Sequence, residues 1–184
     1  HLSLSAPECY RRLGSYAQMN PPIRGSEHQK ALWDALSNGI VDVIGSDHAP
    51  HTREEKHRPY PKRPSGMPGV QTIVPIMLDH VNQGHLSLMR FVDLLCHGPA
   101  RIYGIAGKGR IGVGYDGDLT LVDMKRSSII LDEDMASRCG WTPFHGKKVT
   151  GIPVGTIVRG NVIMRDREIV GTPCGEPVRF TENP

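Results

Sequence analysis

The chain has 184 residues, 38% of them hydrophobic, enough for one modest core or one core with a small subdomain. Its 22 basic and 19 acidic residues leave a net charge of +3, and no run interleaves Lys or Arg with aromatics, which argues against a phosphate-tracking surface and against nucleic acid as a partner. Four well-separated cysteines (Cys9, Cys96, Cys139, Cys174) fit neither a disulfide scaffold nor a zinc ribbon, and no apolar run reaches the ~18 residues that span a bilayer. A cytoplasmic protein without membrane attachment is expected.

The chain opens at His1, without an initiator Met and within the alternating stretch His1-Leu2-Ser3-Leu4-Ser5, so further residues are expected upstream. Residues 6–25 are poor in regular pattern, and Pro21-Pro22 forces an extended backbone before Ile23 and Arg24. Ser26 and Gln29 then fit a capping box, with Ala31, Leu32, Ala35 and Leu36 on one helical face and Ser37-Asn38-Gly39 as the stop. Ile40-Val41-Asp42-Val43-Ile44 follows at once. It is β-branched and almost continuously apolar, as expected of a strand buried on both faces of a parallel sheet.

A polar loop from Gly45 to Gly69 comes next, rich in His, Pro and charge, and loops of this length are usually functional or disordered. It leaves the C-terminal end of the expected strand, where α/β barrels and open sheets place their chemistry. Val70, Ile73, Val74, Met77, Leu78 and Val81 recur at helical spacing, with Pro75 tolerable near the first turn. Ser87 caps a second helix striped by Leu88, Phe91, Val92 and Leu95, and a short third segment runs from Pro99 to Gly104. From Lys108 the period changes to two. Asp118–Asp123 reads as a strand, Val154–Met164 as a hairpin turning at Gly160-Asn161, and the residues after Gly171 as an extended arm.

Gly45-Ser46-Asp47-His48-Ala49-Pro50-His51 is the most informative stretch. Core packing does not require an apolar strand to end in Asp-His, whereas a carboxylate there can point at a metal or a substrate. The blander alternative is that Asp47 merely caps the loop, as Asp often does. Asn20-Pro21-Pro22-Ile23-Arg24 and Ser65-Gly66-Met67-Pro68-Gly69 are expected to open on the same side, with glycines that let backbone approach a small ligand. His28, His57, His80, His85, His97 and His145 read as structural or solvated, Glu54-Glu55-Lys56 as a solvated loop, and Trp33 and Trp141 as packing residues.

The string from Met19 to Gly69 closely resembles the dihydroorotases of the cyclic amidohydrolase superfamily, which carry N-P-P-[LI]-R, D-H-A-P-H, E-E-K and G-x-x-G in this order. Here these are Asn20–Arg24, Asp47–His51, Glu54–Lys56 and Gly66–Gly69. Gly98–Gly104 is similar to the family's N-P-A-[KR]-[IL]-[FY]-G turn with Gly for Asn, and Gly114–Asp123 to its G-x-D-A-D-L-x-L-x-D strand with Gly117 for Ala. The resemblance implies an α/β fold: the C-terminal part of a metal-dependent (β/α)8 (TIM) barrel over residues 1–105, and part of a small β-sandwich subdomain with a C-terminal arm over 106–184. It implies one or two zinc ions and the interconversion of dihydroorotate and N-carbamoyl-L-aspartate in pyrimidine biosynthesis. Asp47 would be a metal ligand that also shuttles the proton. Asn20 and His51 would bind substrate, and Ser65 and Gly66 would touch its ring through backbone. His1 falls in the family's P-H-[HY]-L segment and is not assigned as a ligand.

The family's remaining ligands, an H-x-H pair, a bridging carboxylated Lys or Asp and two later histidines, would all precede His1. A zinc site needs three to four protein ligands, so this segment alone is expected to be inactive. The expected partners are a cyclic amide, the N-terminal half of the same protein and further copies in a homo-oligomer. Two rival readings are a hydantoinase- or allantoinase-like ring opener and a non-catalytic, dihydroorotase-like structural subunit.

Overall fold

A computed structural model describes residues 1–181. It divides into two compact units, one of His1–Ile40, Gly45–Ile76 and Ser128–Val149, the other of Val41–Ile44, Met77–Ser127 and the residues from Thr150 onward. Among the described residues no helix is long and apolar enough to cross a membrane.

In the first unit the stretch 6–25, expected to be irregular, folds into helix α1 (Glu8–Leu13) and a 3-10 turn over Gly14–Ala17. Six residues are too few to show a periodic stripe, and only Cys9 of α1 is buried. Cys9 packs with Ala17, Ile23, Met67, Cys139 and Trp141, surrounded by Leu4, Leu13, Tyr16 and Met19. Trp141 is therefore a packing residue as expected, with its ring edge-on to Tyr16 at 4.7 Å.

Helix α2 spans Ser26–Ser37. The capping box does not form: Gly25 is the cap, Ser26 is already helical, and no side chain bonds the free amides. Gln29 Nε2 instead donates to the Leu2 carbonyl (3.1 Å), which also accepts from Trp33 Nε1 (3.0 Å). These bonds rotate the covered face towards Trp33 and Leu36, leaving Ala31 and Leu32 exposed. The helix stops at Asn38-Gly39 as expected, with Gly39 at φ +76°.

The second unit holds the clearest departure from expectation. Val41–Ile44 is not a strand, and Ile40, ahead of it, is 73% exposed. A parallel strand exists only where neighbours supply a ladder of hydrogen bonds, and among the described residues none runs beside it. Its polar groups go elsewhere: the Ile44 amide donates to Leu94 O (3.1 Å), Val41 O accepts from Arg90, and Asp42 pairs with Arg101 at 3.1 Å.

Helix α4 (Ile73–Asn82) carries Pro75 in its first turn, where the missing amide has no intrahelical partner to lose. Ser87 caps helix α5 (Leu88–Val92) by accepting from the Arg90 amide at 3.1 Å, and a π-helical turn over Asp93–His97 leads into α6 (Gly98–Ile102). The sheet has four strands in chain order: β1 (Leu119–Ile129), β2 (Lys148–Val158), β3 (Asn161–Arg165) and β4 (Glu168–Ile169). The β2–β3 turn is Arg159-Gly160, one residue before the expected Gly160-Asn161. Both turn residues have positive φ, +50° and +80°, the type I′ signature that matches strand twist.

The Asp116-Gly117-Asp118 segment anchors that turn. Asp116 and Asp118 both bind Lys108, whose ammonium holds both carboxyls below the ordinary range, and Asp118 accepts from the Arg159 amide (2.6 Å). Gly117 O accepts from the Gly160 amide at 2.9 Å, and a Cβ at 117 would lie 3.0 Å from that nitrogen, so Gly in place of Ala lets the two backbones meet. Of the expected arm after Gly171, the described residues 172–181 form no helix or strand and are joined to Ile105 by a bridge at Phe180 and to the Ala106 amide by Arg179 O, while its last three residues lie outside the described ones.

Candidate active site

All five candidate residues (Asn20, Asp47, His51, Ser65 and Gly66) lie in the first unit. Asp47 sits where the chain leaves Val41–Ile44 and turns, at φ +45°, a left-handed conformation that Asp tolerates better than most residues. Its carboxylate is exposed and has no hydrogen bond or ion pair among the described residues. The Asn20 side chain is likewise exposed and unbonded.

His48, the next residue, is fully committed at one nitrogen. Its Nδ1 accepts from the Gly69 amide (3.0 Å) and the Val70 amide (3.3 Å), so the ring proton belongs on Nε2. Gly69 O in turn receives the amides of Thr72 and Ile73 at the entrance to α4. His48 thereby satisfies donors that a helix start leaves free. A cleft of about 260 Å³ opens here, walled by His48, Gly69, Val70, Met135 and Ser137. Gln71 holds the far wall: its Nε2 donates to Asp134 O (2.8 Å) and its Oε1 accepts from the Ala136 amide (2.9 Å).

The 45–69 loop is more ordered than expected. Helix α3 (Arg53–His57) forms inside it behind a reciprocal capping box: Thr52 Oγ1 accepts from the Glu55 amide (3.2 Å), and Glu55 Oε2 accepts from the Thr52 amide (2.8 Å). That second bond holds the Glu55 carboxyl below the usual range. Arg53 ties the helix to Asp132 at 2.5 Å and to Gly140 O at 2.7 Å.

The reading of Glu54-Glu55-Lys56 as solvated holds for Glu54 and fails for Lys56, which is 0% exposed. Its ammonium donates to the carbonyls of Gln18 (2.9 Å), Pro64 (3.1 Å) and Gly66 (3.0 Å), using all three of its protons. Burial, with a smaller contribution from the Arg63 charge, lowers its pKa to about 8. Sequence reasoning missed this residue. The one available signal was its place four residues after Thr52, on the inner side of a single capped turn.

Three of the five candidates are stapled together. His51 Nε2 donates to Ser65 O at 3.1 Å, and the Gly66 amide donates to Gln18 O at 3.0 Å, two residues before Asn20. Gln18 Nε2 reaches Arg63 O (3.2 Å) and Ser65 Oγ (3.3 Å). His51 is fixed from behind by Trp141, whose Nε1 donates to His51 O at 2.7 Å. Gly66 has φ +131°, and a Cβ there would lie 2.6 Å from Ala49 Cβ, so the position requires glycine. Neither Asp47 nor the Asn20 side chain is bonded into this cluster.

For a metal, the donor chemistry at Asp47 is suitable: an accessible carboxylate with nothing competing for it. The number is not, since among the described residues no three His, Cys, Asp or Glu side chains gather to hold an ion.

The amidohydrolase family model matches residues 9–163. A dihydroorotase from Halobacterium salinarum is 41% identical over 179 residues, which is 97% of this chain and 42% of that relative. A dihydroorotase from Pyrococcus abyssi is 43% identical over 158 residues, 86% of this chain and 37% of that relative. Among solved structures, the L-hydantoinase (dihydropyrimidinase) from Arthrobacter aurescens superposes with a TM-score of 0.86 at 36% identity, covering 92% of this chain and 39% of that one. This chain thus spans between 37% and 42% of the length of these relatives. These likenesses bear out the expected fold class, part of a (β/α)8 barrel with part of a β-subdomain. The chain belongs to the amidohydrolase family.

Proposed function

We propose that this chain supplies the acid–base carboxylate and the ring-binding loops of a zinc-dependent hydrolase that interconverts dihydroorotate and N-carbamoyl-L-aspartate, a step of pyrimidine biosynthesis. The observation that carries the reading is the stapling of His51, Ser65–Gly66 and the Gln18–Asn20 segment into one cluster, in the same unit as an exposed, unbonded Asp47 carboxylate. Identity to dihydroorotases along nearly the whole chain supports the choice of substrate.

Zinc, when bound, polarises the amide carbonyl and lowers the pKa of water. Asp47 would be one of its ligands, and the others would come from elsewhere in the whole protein. The carboxylate of Asp47 accepts the proton of the attacking water as the new C–O bond forms. It then delivers that proton to the ring nitrogen as the C–N bond breaks, so one group serves as base and then acid. Asn20 and His51 hold the polar edge of the ring, and the Ser65–Gly66 backbone lies against it, close approach being possible because Gly66 has no side chain.

The test is turnover by the whole protein. Dihydroorotate should be hydrolysed, and Asp47→Ala should lose about 10²- to 10⁴-fold in kcat, the range of a positioned acid–base group. Zinc-loaded protein inert on dihydroorotate, or an Asp47→Ala variant of ordinary activity, would overturn the reading. A second reading, hydantoin ring opening, is favoured by the structural likeness to L-hydantoinase. The ratio of kcat/KM on the two rings separates them.

A further inference from the structure

The Lys56 ammonium is buried without a carboxylate among the described residues, and its three partners are main-chain carbonyls from two separate segments. Burying a lone cation is expensive, and for stability alone an apolar side chain would hold a loop as well. The identity of the three carbonyls explains the arrangement. Pro64 and Gly66 flank Ser65, and with both of their carbonyls drawn onto Lys56, the Ser65 carbonyl between them goes to His51 Nε2 instead. The third carbonyl, that of Gln18, also receives the Gly66 amide and stands two residues before Asn20. One ammonium therefore registers three of the four ring-binding candidates, His51, Ser65 and Gly66, through the main chain.

We propose that Lys56 is a positioning residue for substrate: its three bonds to the carbonyls of Gln18, Pro64 and Gly66 set where the Ser65–Gly66 backbone and His51 meet the ring, and so govern KM rather than kcat. The proposal rests on the function proposed above. It touches no reacting atom.

The charge state gives the test a readout that a passive spacer would not move. A neutral amine has two protons for three carbonyls, and its lone pair faces the third, so the clamp weakens as Lys56 deprotonates around pH 8. Arg63 is the charge that acts on it; of its neighbours along the chain, Glu55 turns back onto Thr52, His51 is bonded to Ser65 O, and His57 stands beside the Tyr16 hydroxyl at 3.5 Å.

In the whole protein, KM for dihydroorotate should rise from pH 7 to pH 9 with a midpoint near 8. Lys56→Met at pH 7 should show KM raised about tenfold or more with kcat within about threefold, and a flat KM–pH profile. Lys56→Arg should restore part of the pH-independent affinity. A KM for Lys56→Met within about twofold of wild type, or the same pH-dependent rise in both proteins, overturns the proposal. If Lys56→Met does not fold, the wild-type profile decides, and a flat one refutes it. If the whole protein opens no dihydroorotate ring, the functional reading fails and the clamp is judged by exchange of the Gly66 amide. At pH 7 that amide should exchange faster in Lys56→Met than in wild type, and equal protection in the two proteins would refute the clamp.

Discussion

Replacing Gly66 with Ala tests whether the stapled loop is as tightly determined as its contacts imply. At φ +131° an L-residue is strained by about 1–3 kcal/mol wherever it is placed. The new methyl would also lie 2.6 Å from Ala49 Cβ and 3.0 Å from Ala49 O. Ala49 cannot retreat freely, because its amide donates to Met67 O at 3.0 Å and His48 forms a parallel bridge with Met67. Straining that bond adds about 0.5–1.5 kcal/mol. Together these give about 1.5–4.5 kcal/mol, which at 1.4 kcal/mol per decade is roughly a 10- to 1,600-fold rise in local opening.

Hydrogen exchange at the Ala49 amide in the whole protein reads this directly, with Gly45→Ala as a control, since a Cβ at Gly45 meets nothing within 4 Å. Adding Ala49→Gly to Gly66→Ala removes the methyl contact but leaves the φ strain, so it should recover only part of the loss. Exchange within about threefold of wild type in Gly66→Ala, or no recovery in the double variant, would show that the loop yields where this reasoning holds it rigid.

Two further outcomes follow from neighbouring contacts. Trp141→Phe keeps a ring against Tyr16 but removes the donor to His51 O, and should cost about 1–3 kcal/mol and raise KM with little change in kcat; an unaltered KM would mean that His51 is placed by Ser65 alone. The folded pKa of Lys56, about 8, lies below its ordinary 10.5, so between these values the unfolded chain holds a proton that the folded chain has released. Stability from this group therefore rises with pH across that window while substrate affinity falls. Denaturation midpoints at pH 8 and pH 10 should favour wild type increasingly over Lys56→Met, and a constant difference would contradict the assignment.

Elements whose signals are local were legible in the residue string. The Ser87 cap, Pro75 in the first turn of α4 and the Asn38-Gly39 stop each depend on a few adjacent residues. Ile40–Ile44 has the composition of a strand without being one, because a ladder belongs to the partner as much as to the strand. The hairpin turn lies one residue before the Gly160-Asn161 of the sequence pattern because glycine takes its second central position, after Arg159. At the site, the motif residues stand out in the sequence, but the side chains that hold them do not. Lys56 carries the composition of a surface loop, and Trp141 comes 90 residues after the carbonyl it holds. Neither pairing leaves a periodic trace.

That separation bears on when the site comes into being. The bonds from Trp141 to His51, from Arg53 to Asp132 and Gly140, and from Gln71 to Asp134 and Ala136 all join an early segment to a late one. At about 5–20 residues per second, the ribosome needs roughly 5–20 seconds after His51 to make its tryptophan. Through that interval the nascent His51 loop must rely on its own early bonds, to Ser65 O and through Lys56, and it gains the Trp141 support last.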